Sequence, residues 1–185
     1  WNDIKIVIEY GMLSEEKFFE KSEKFALYPS VDEKFYTYEE LYNKIKAKQT
    51  DKDDKLIILY ASDKEAQHSY IENAKAKGYE VLLLDSPIVS HLIQKLEGSK
   101  EKISFARVDS DHIDNLINKD DSKVSKLNED QKTSLENVIK EVISDEKYTI
   151  KLESLDSKED PFIITTPEFM RRMKEMQQTG GGGMF

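Results

Sequence analysis

The sequence contains no cysteine, so neither a disulfide framework nor a zinc site built on thiolates can form. It also lacks long apolar runs. The longest, LIILYA and VLLL, are far too short to cross a bilayer, and nothing resembles a signal peptide. These absences predict a cytoplasmic protein with no membrane partner.

The chain has fewer basic than acidic residues, with 28 Lys and Arg against 37 Asp and Glu, so its net charge is −9. A nucleic-acid binder needs a basic surface to neutralise phosphates, so nucleic acid is not an expected partner. Glycine is scarce too, and four of the seven glycines form one run at 180–183. Neither a Walker A motif nor GxGxxG occurs, so the sequence predicts no phosphate-binding loop.

What is present suffices for a folded core, because 38% of the 185 residues are apolar. The first fifty residues carry helix signals with no strands between them. Ser14 is placed to cap a helix that carries three phenylalanines, and Thr37 with Glu40 forms a capping box before a second amphipathic stretch. Residues 1–50 are therefore predicted to be a helical connector.

The second block, residues 51–120, alternates between strand and helix patterns. KLIILYA, EVLLL and KISFARV predict three strands, separated by helices that open at Ser62 and at Ser86 and end at Gly78 and Gly98. Strands buried on both faces and joined by single helices pair in parallel. The fold class is thus α/β, with a small three-layer αβα subdomain around a short parallel sheet.

The third block, residues 121–185, begins with a helix capped by Asn128. YTIKLESL and PFIIT then predict two strands, and PEFMRRMKEMQ predicts a closing helix. These elements are too few for a complete domain. The block is interpreted as an incomplete α+β unit.

Two aspartates stand where chemistry is often found in αβα folds. Asp63 and Asp85 follow predicted strands, at the edge where a magnesium-binding or phospho-accepting carboxylate would lie. A free-standing metal-dependent hydrolase or phosphotransfer domain is therefore an alternative function, although both residues also fit ordinary helix caps.

Other candidates for catalysis are weak. His68, His91 and His112 match no metal motif and are expected at the surface or in caps, and Ser86 lies outside any GxSxG elbow. No catalytic residue, metal ligand or cofactor-binding residue is assigned to this chain.

The last predicted helix carries an apolar stripe, formed by Phe169, Met170, Met173 and Met176. In one interpretation the stripe packs on the sheet, and the chain is a structural scaffold. In the other the stripe is exposed as an adaptable binding surface, because methionine is typical of such surfaces and the following glycines would let the helix leave the body of the domain.

Three stretches, in this order along the chain, resemble the ninety-kilodalton heat-shock chaperones of the bacterial HtpG type. They are IEYGMLSEEKFFEK, then YIENAKAKGYEVLLLDSPIVSHLIQKLE with ISFARVDSD, and finally PEFMRRMKEMQQTGGGG. The middle stretch is the most specific. The resemblance spans nearly the whole chain.

The resemblance implies a piece of a longer protein: the end of the middle domain and the start of the C-terminal domain. Phe169, Met170, Met173 and Met176 would then contact unfolded or partly folded client proteins. ATP and magnesium would bind in an N-terminal domain that corresponds to nothing here, so this fragment is not expected to be an enzyme. The full-length protein would be an ATP-dependent homodimer.

Overall fold

A computed structural model describes residues 1–119, 125–143, 148–155 and 160–180 of the chain. Within the last helix, the side chains of residues 175, 176 and 178–180 lie outside that description. The chain forms two compact units, one of residues 1–119 with 164–185 and one of residues 120–163. The bounds of the three predicted domains remain predictions.

The amino-terminal residues form helices, as expected, at α1 (Lys5–Ser14), α2 (Glu16–Ser22) and α3 (Tyr38–Ile45). The capping box of Thr37 and Glu40 is confirmed, with the Thr37 amide 2.8 Å from the Glu40 carboxylate. The prediction for Ser14 was wrong. Its hydroxyl donates to the Tyr10 carbonyl at the end of α1, because the preceding apolar stretch continues the helix up to this residue.

A short antiparallel pair interrupts the helices, where no strand was expected. Strand β1 (Tyr28–Pro29) pairs with β2 (Phe35–Tyr36). Glu33 takes a left-handed conformation, φ 62°, in the turn between them. Two-residue strands carry too little alternation for a sequence pattern to reveal them.

The predicted parallel sheet is confirmed. It consists of β3 (Leu56–Ala61), β4 (Val81–Leu83) and β5 (Ile103–Arg107) in the order β4-β3-β5, with both pairings parallel. Successive strands of such a sheet require crossovers over its faces. Helices α4 (His68–Ala76), α5 (Val89–Ser99) and α6 (Ile113–Leu116) lie in or after those crossovers.

The crossover helices begin later than predicted. Ser62 does not open α4, because the Gln67 side chain accepts the amides of Ser62 and Asp63 and a turn fills residues 63–67. Likewise α5 begins at Val89, and the Ser86 hydroxyl accepts the Ile88 amide in the preceding turn. In both cases a local turn satisfied the amides that the predicted cap would have served.

One of the two predicted glycine caps is confirmed. Gly78 has φ 73° after α4, and the amides of Gly78 and Tyr79 return to the carbonyls of Lys75 and Ala74. This is the Schellman arrangement, which needs a left-handed residue at that position. Gly98 was predicted wrongly, because it lies inside α5.

The sheet is buried on both faces by alternating residues of β3. Ile58 and Tyr60 point to the face covered by α1 and α5, and Phe105 of β5 joins them there. Leu59 and Ala61 point to the opposite face, covered by α4 and α6. The three-layer αβα arrangement follows from this continuous apolar strand.

The third block differs from the prediction. Helix α7 (Glu129–Val142) has its expected capping box, formed by Asn128 and Gln131. The stretches YTIKLESL and PFIIT form no strand in residues 148–155 and 160–166. A strand needs a neighbour for its backbone hydrogen bonds, and no described residue pairs with these stretches. Helix α8 (Glu168–Gly180) closes the chain, and no helix of the described residues is long and apolar enough to span a membrane.

Candidate functional site

The two aspartates at the strand ends have local structural partners. The Asp63 carboxylate accepts the amides of Glu65 and Ala66, each at 2.9 Å. Asp85 is paired with Lys5 of α1. In the described part of the chain, no group of three or more His, Asp or Glu could hold a metal ion. The geometry thus gives no observation in favour of a hydrolase or phosphotransfer centre.

The three histidines lie where the sequence predicted them, at the surface or in a helix cap. His68 and His91 are exposed, while buried His112 caps α6 by accepting the Asp114 amide through Nδ1. Ser86 is buried and binds backbone in its turn.

The largest unexpected feature is the way in which α8 packs against the sheet. It docks through charged residues. The docking cluster, as we call it, combines two residues of the αβα unit with three of α8: Tyr60 and Glu97, with Glu168, Arg171 and Arg172. The sequence pattern by itself assigned no role to the two arginines.

The inner half of the docking cluster surrounds the hydroxyl of Tyr60, a fully buried residue. This hydroxyl donates to Glu168 at 3.0 Å and accepts from Arg171. Arg171 is only 5% exposed, and its guanidinium also binds Glu168 and lies 5.6 Å from the centre of the Tyr60 ring. Each of these two charges is therefore compensated by the opposite charge and by the neutral Tyr60 hydroxyl, which donates to Glu168 and accepts from Arg171.

The outer half of the docking cluster covers the free edge of β5. Arg172 binds both carboxylate oxygens of Glu97, at 2.7 and 3.2 Å, and donates to the Phe105 carbonyl at 3.0 Å. Glu97 in turn accepts the Phe105 amide at 2.7 Å. Side chains thus satisfy backbone groups that an edge strand would otherwise present to another chain.

The charges of the docking cluster set its protonation states. Burial alone would raise the pKa of Glu168, but hydrogen bonds and positive charge from Arg171 and Arg172 outweigh it and hold the pKa below its ordinary value. Burial raises the pKa of Tyr60, and the charge of Glu168 adds to this. Glu168 is therefore an anion and Tyr60 a neutral donor at neutral pH.

Because its charged face is buried, α8 exposes its apolar stripe. Phe169 is 70% exposed, Met170 62% and Met173 43%. Met173 lies one turn after Phe169 and Met170, at i+4 and i+3, so the three share one side of the helix. The side chain of Met176, the fourth predicted member, lies outside the described residues. For the three described members, the interpretation in which the stripe packs on the sheet was wrong.

The docking cluster was missed because its local signals are ambiguous. Glu168, Arg171 and Arg172 are spaced at i, i+3 and i+4, which is also the spacing of solvent-exposed ion pairs. Tyr60 offered a better signal. It is the one residue with a polar tip in the run LIILYA, and a buried hydroxyl requires a partner.

Comparison with known proteins finds relatives that align with the whole length of the chain. No family model matches it. The chain is 44% identical over 188 residues to the chaperone protein HtpG of Bacteroides fragilis, 45% identical to that of Bacteroides thetaiotaomicron and 40% identical to that of Porphyromonas gingivalis. All of the chain is aligned in each case, and it spans 28% of the length of these curated relatives.

Among solved structures, the middle domain of a heat shock protein from Plasmodium falciparum is 20% identical with a TM-score of 0.44. The match covers 57% of this chain and 44% of that one. The resemblance stated from the sequence is confirmed by the curated relatives, which are HtpG chaperones.

Proposed function

We propose that this chain contacts client proteins. The premise is that it resembles HtpG-type chaperones of the heat shock protein 90 family along its whole length. The clients are unfolded or partly folded proteins, and the contact surface is the apolar stripe of α8. The chain would also couple the middle and C-terminal domains of a longer chaperone.

One observation carries the proposal of client contact: α8 turns the charged residues of the docking cluster toward the sheet and exposes its apolar side chains. An amphipathic helix that packs on a sheet is normally stabilised by burying its apolar face, by about 25 cal/mol for each Å² of apolar surface removed from water. Here Arg171 is 5% exposed while Phe169 is 70% exposed. An apolar stripe that is kept in solvent is available for another protein.

The chemistry of the stripe suits partners that share no sequence. Apolar contact is nondirectional, and methionine side chains adapt to irregular surfaces because they are unbranched and flexible. The net charge of −9 supports solubility of a chain with exposed apolar residues. These properties favour a client surface over a site for one specific ligand.

Coupling between domains is supported by the path of the chain. The polypeptide leaves the first compact unit after residue 119 and re-enters it at residue 164. The Thr166 amide then donates to the Asp109 carbonyl at 3.1 Å, just before α8 begins. Residues 120–163 are therefore continuous in sequence with a segment that is held at the start of α8. On the same resemblance, we propose that the longer protein binds ATP and magnesium, forms a homodimer and is cytoplasmic.

The test is suppression of aggregation of a chemically unfolded client by the 185-residue chain. The variant Phe169→Ser/Met170→Ser/Met173→Ser is expected to lose most of the suppression. The matched control is Ile6→Ser/Val7→Ser/Tyr10→Ser on α1, whose side chains are 39%, 67% and 53% exposed. The control variant is expected to keep the suppression of aggregation. Equal suppression by parent and stripe variant would contradict the proposal.

A further inference from the structure

We infer that Glu97 is a positioning residue for client contact: its ion pair with Arg172 fixes α8 on the sheet edge with the apolar stripe outward. The inference rests on the proposed function. It concerns a residue of α5, which is far from the stripe in sequence and is not one of the predicted client-contacting residues.

The first argument is geometric. A single hydrogen bond leaves a helix free to roll, whereas the two parallel bonds between Arg172 and Glu97 define a plane. Glu97 itself is held by the Phe105 amide at 2.7 Å, so its carboxylate is oriented before Arg172 reaches it. The rigid sheet thereby sets the rotation of α8 about its axis.

The second argument concerns the stability of α8. The helix has 13 residues, and helices of this length are marginal in water without tertiary contacts. Phe169 and Met170 are 70% and 62% exposed, so we attribute the docking of α8 mainly to the docking cluster. Without the anchor at Glu97, the helix would fray and its apolar residues would no longer share one face.

The third argument identifies the part of the docking cluster that can be varied without exposing a buried charge. Tyr60, Glu168 and Arg171 form the inner half, and Arg171 is 5% exposed. The side chains of Glu97 and Arg172 are 23% and 22% exposed, so water can reach both after the pair is broken. Glu97 is therefore the member whose loss changes docking while the fold is retained.

The experiment compares Glu97→Gln with a matched control, Glu16→Gln. Glutamine keeps an oxygen that accepts the Phe105 amide but removes the charge that attracts Arg172. Glu16 also pairs with a lysine of α5, Lys95, at 2.7 Å, and its replacement removes the same charge from the chain. Hydrogen exchange of residues 168–174 and suppression of client aggregation are measured for both variants, and urea unfolding confirms that each is folded.

Glu97→Gln is expected to speed exchange in α8 about tenfold and to lower client suppression, while Glu16→Gln changes neither. Arg172→Lys, which keeps the charge but loses the planar fork, is expected to lie between parent and Glu97→Gln. A role that is merely structural would not rank these variants by the geometry of the ion pair.

Two outcomes would overturn the inference. In one, α8 exchange is unchanged in Glu97→Gln, so the ion pair does not hold the helix. In the other, exchange rises but client suppression is retained, so positioning does not matter. The proposed function fails separately, when the stripe variant keeps full suppression. In that case faster exchange in Glu97→Gln would still show that Glu97 docks α8.

Discussion

Helices α5 and α8 both bind the β5 edge, yet they attach to the sheet by opposite chemistry. Helix α5 buries an apolar face, made of Val89, Leu92, Ile93 and Leu96. Helix α8 turns two arginines and a glutamate toward the sheet, of which Arg171 is buried and the other two are part-buried, and it leaves its apolar face in solvent. The same edge residue, Phe105, receives a side chain from each helix.

The difference shows which attachments specify orientation. Apolar burial is nondirectional and tolerates rotation and exchange of similar side chains. Charged hydrogen bonds demand particular atoms at particular angles, and they weaken when a partner is protonated or removed. Helix α5 therefore supplies stability, and α8 is held in one orientation by contacts that can be broken separately from the fold.

The largest effect is expected in α5. Ile93→Ala, at a fully buried position, should lower the free energy of unfolding by about 2–5 kcal/mol, because it leaves a cavity beneath the helix. Urea unfolding of the whole chain measures this loss. A loss near zero would mean that burial of α5 does not stabilise the fold, and it would contradict the proposed difference between α5 and α8.

A smaller and more local effect is expected from Tyr60→Phe. Removing the hydroxyl leaves Glu168 and Arg171 without their shared neutral partner, which should cost about 1–3 kcal/mol. Exchange in residues 168–174 should rise more than exchange in α5. Tyr42→Phe, at a 42% exposed position, is the control and should change neither. Equal effects of the two substitutions would contradict the role of the Tyr60 hydroxyl.

Without any mutation, a low pH should weaken the docking of α8 and leave the packing of α5 unchanged. The pKa of Glu168 lies below its ordinary value of 4.5, because Arg171 and Arg172 outweigh the effect of burial. The docked state then binds fewer protons than the undocked state, so its stability is complete above the ordinary pKa and is lost as the pH falls through the lowered value.

Hydrogen exchange corrected for its intrinsic pH dependence checks this. Protection of α8 is expected to fall as the pH drops below the ordinary pKa of a glutamate, while protection of α5 at Ile93 persists. Glu168→Gln should weaken docking at neutral pH and abolish the acid step. An acid step of the same size in that variant would assign it to another carboxylate.

The smallest effect on stability is expected in the apolar stripe. Met173→Ser changes a 43% exposed residue and should alter the free energy of unfolding by no more than about 0.5 kcal/mol. The contrast with Ile93→Ala, measured by the same urea unfolding, is the sharpest form of the comparison. A loss above about 2 kcal/mol would show that the stripe belongs to a core.

Local signals in the sequence predicted much of the fold, where the residues concerned satisfy one another. The capping boxes at Thr37 and Asn128 each lie within four residues, and Gly78 provides the left-handed conformation that its own turn needs. The apolar run of β3 is buried on both faces, so its pattern is unambiguous. Predictions failed where a second local partner competed, as Gln67 did for the turn after Ser62.

The amino-acid sequence by itself determined the parallel sheet, its crossover helices and the existence of an apolar stripe on the last helix. Only the tertiary structure decided which way that helix faces. Helix α8 has an apolar side and a charged side, and the hydrophobic effect favours burying the apolar side. The partners that reverse this preference, Tyr60 and Glu97, lie 108 and 75 residues from the residues they bind. Helical spacing cannot reveal such distant partners, because it reports only the neighbours within a few residues.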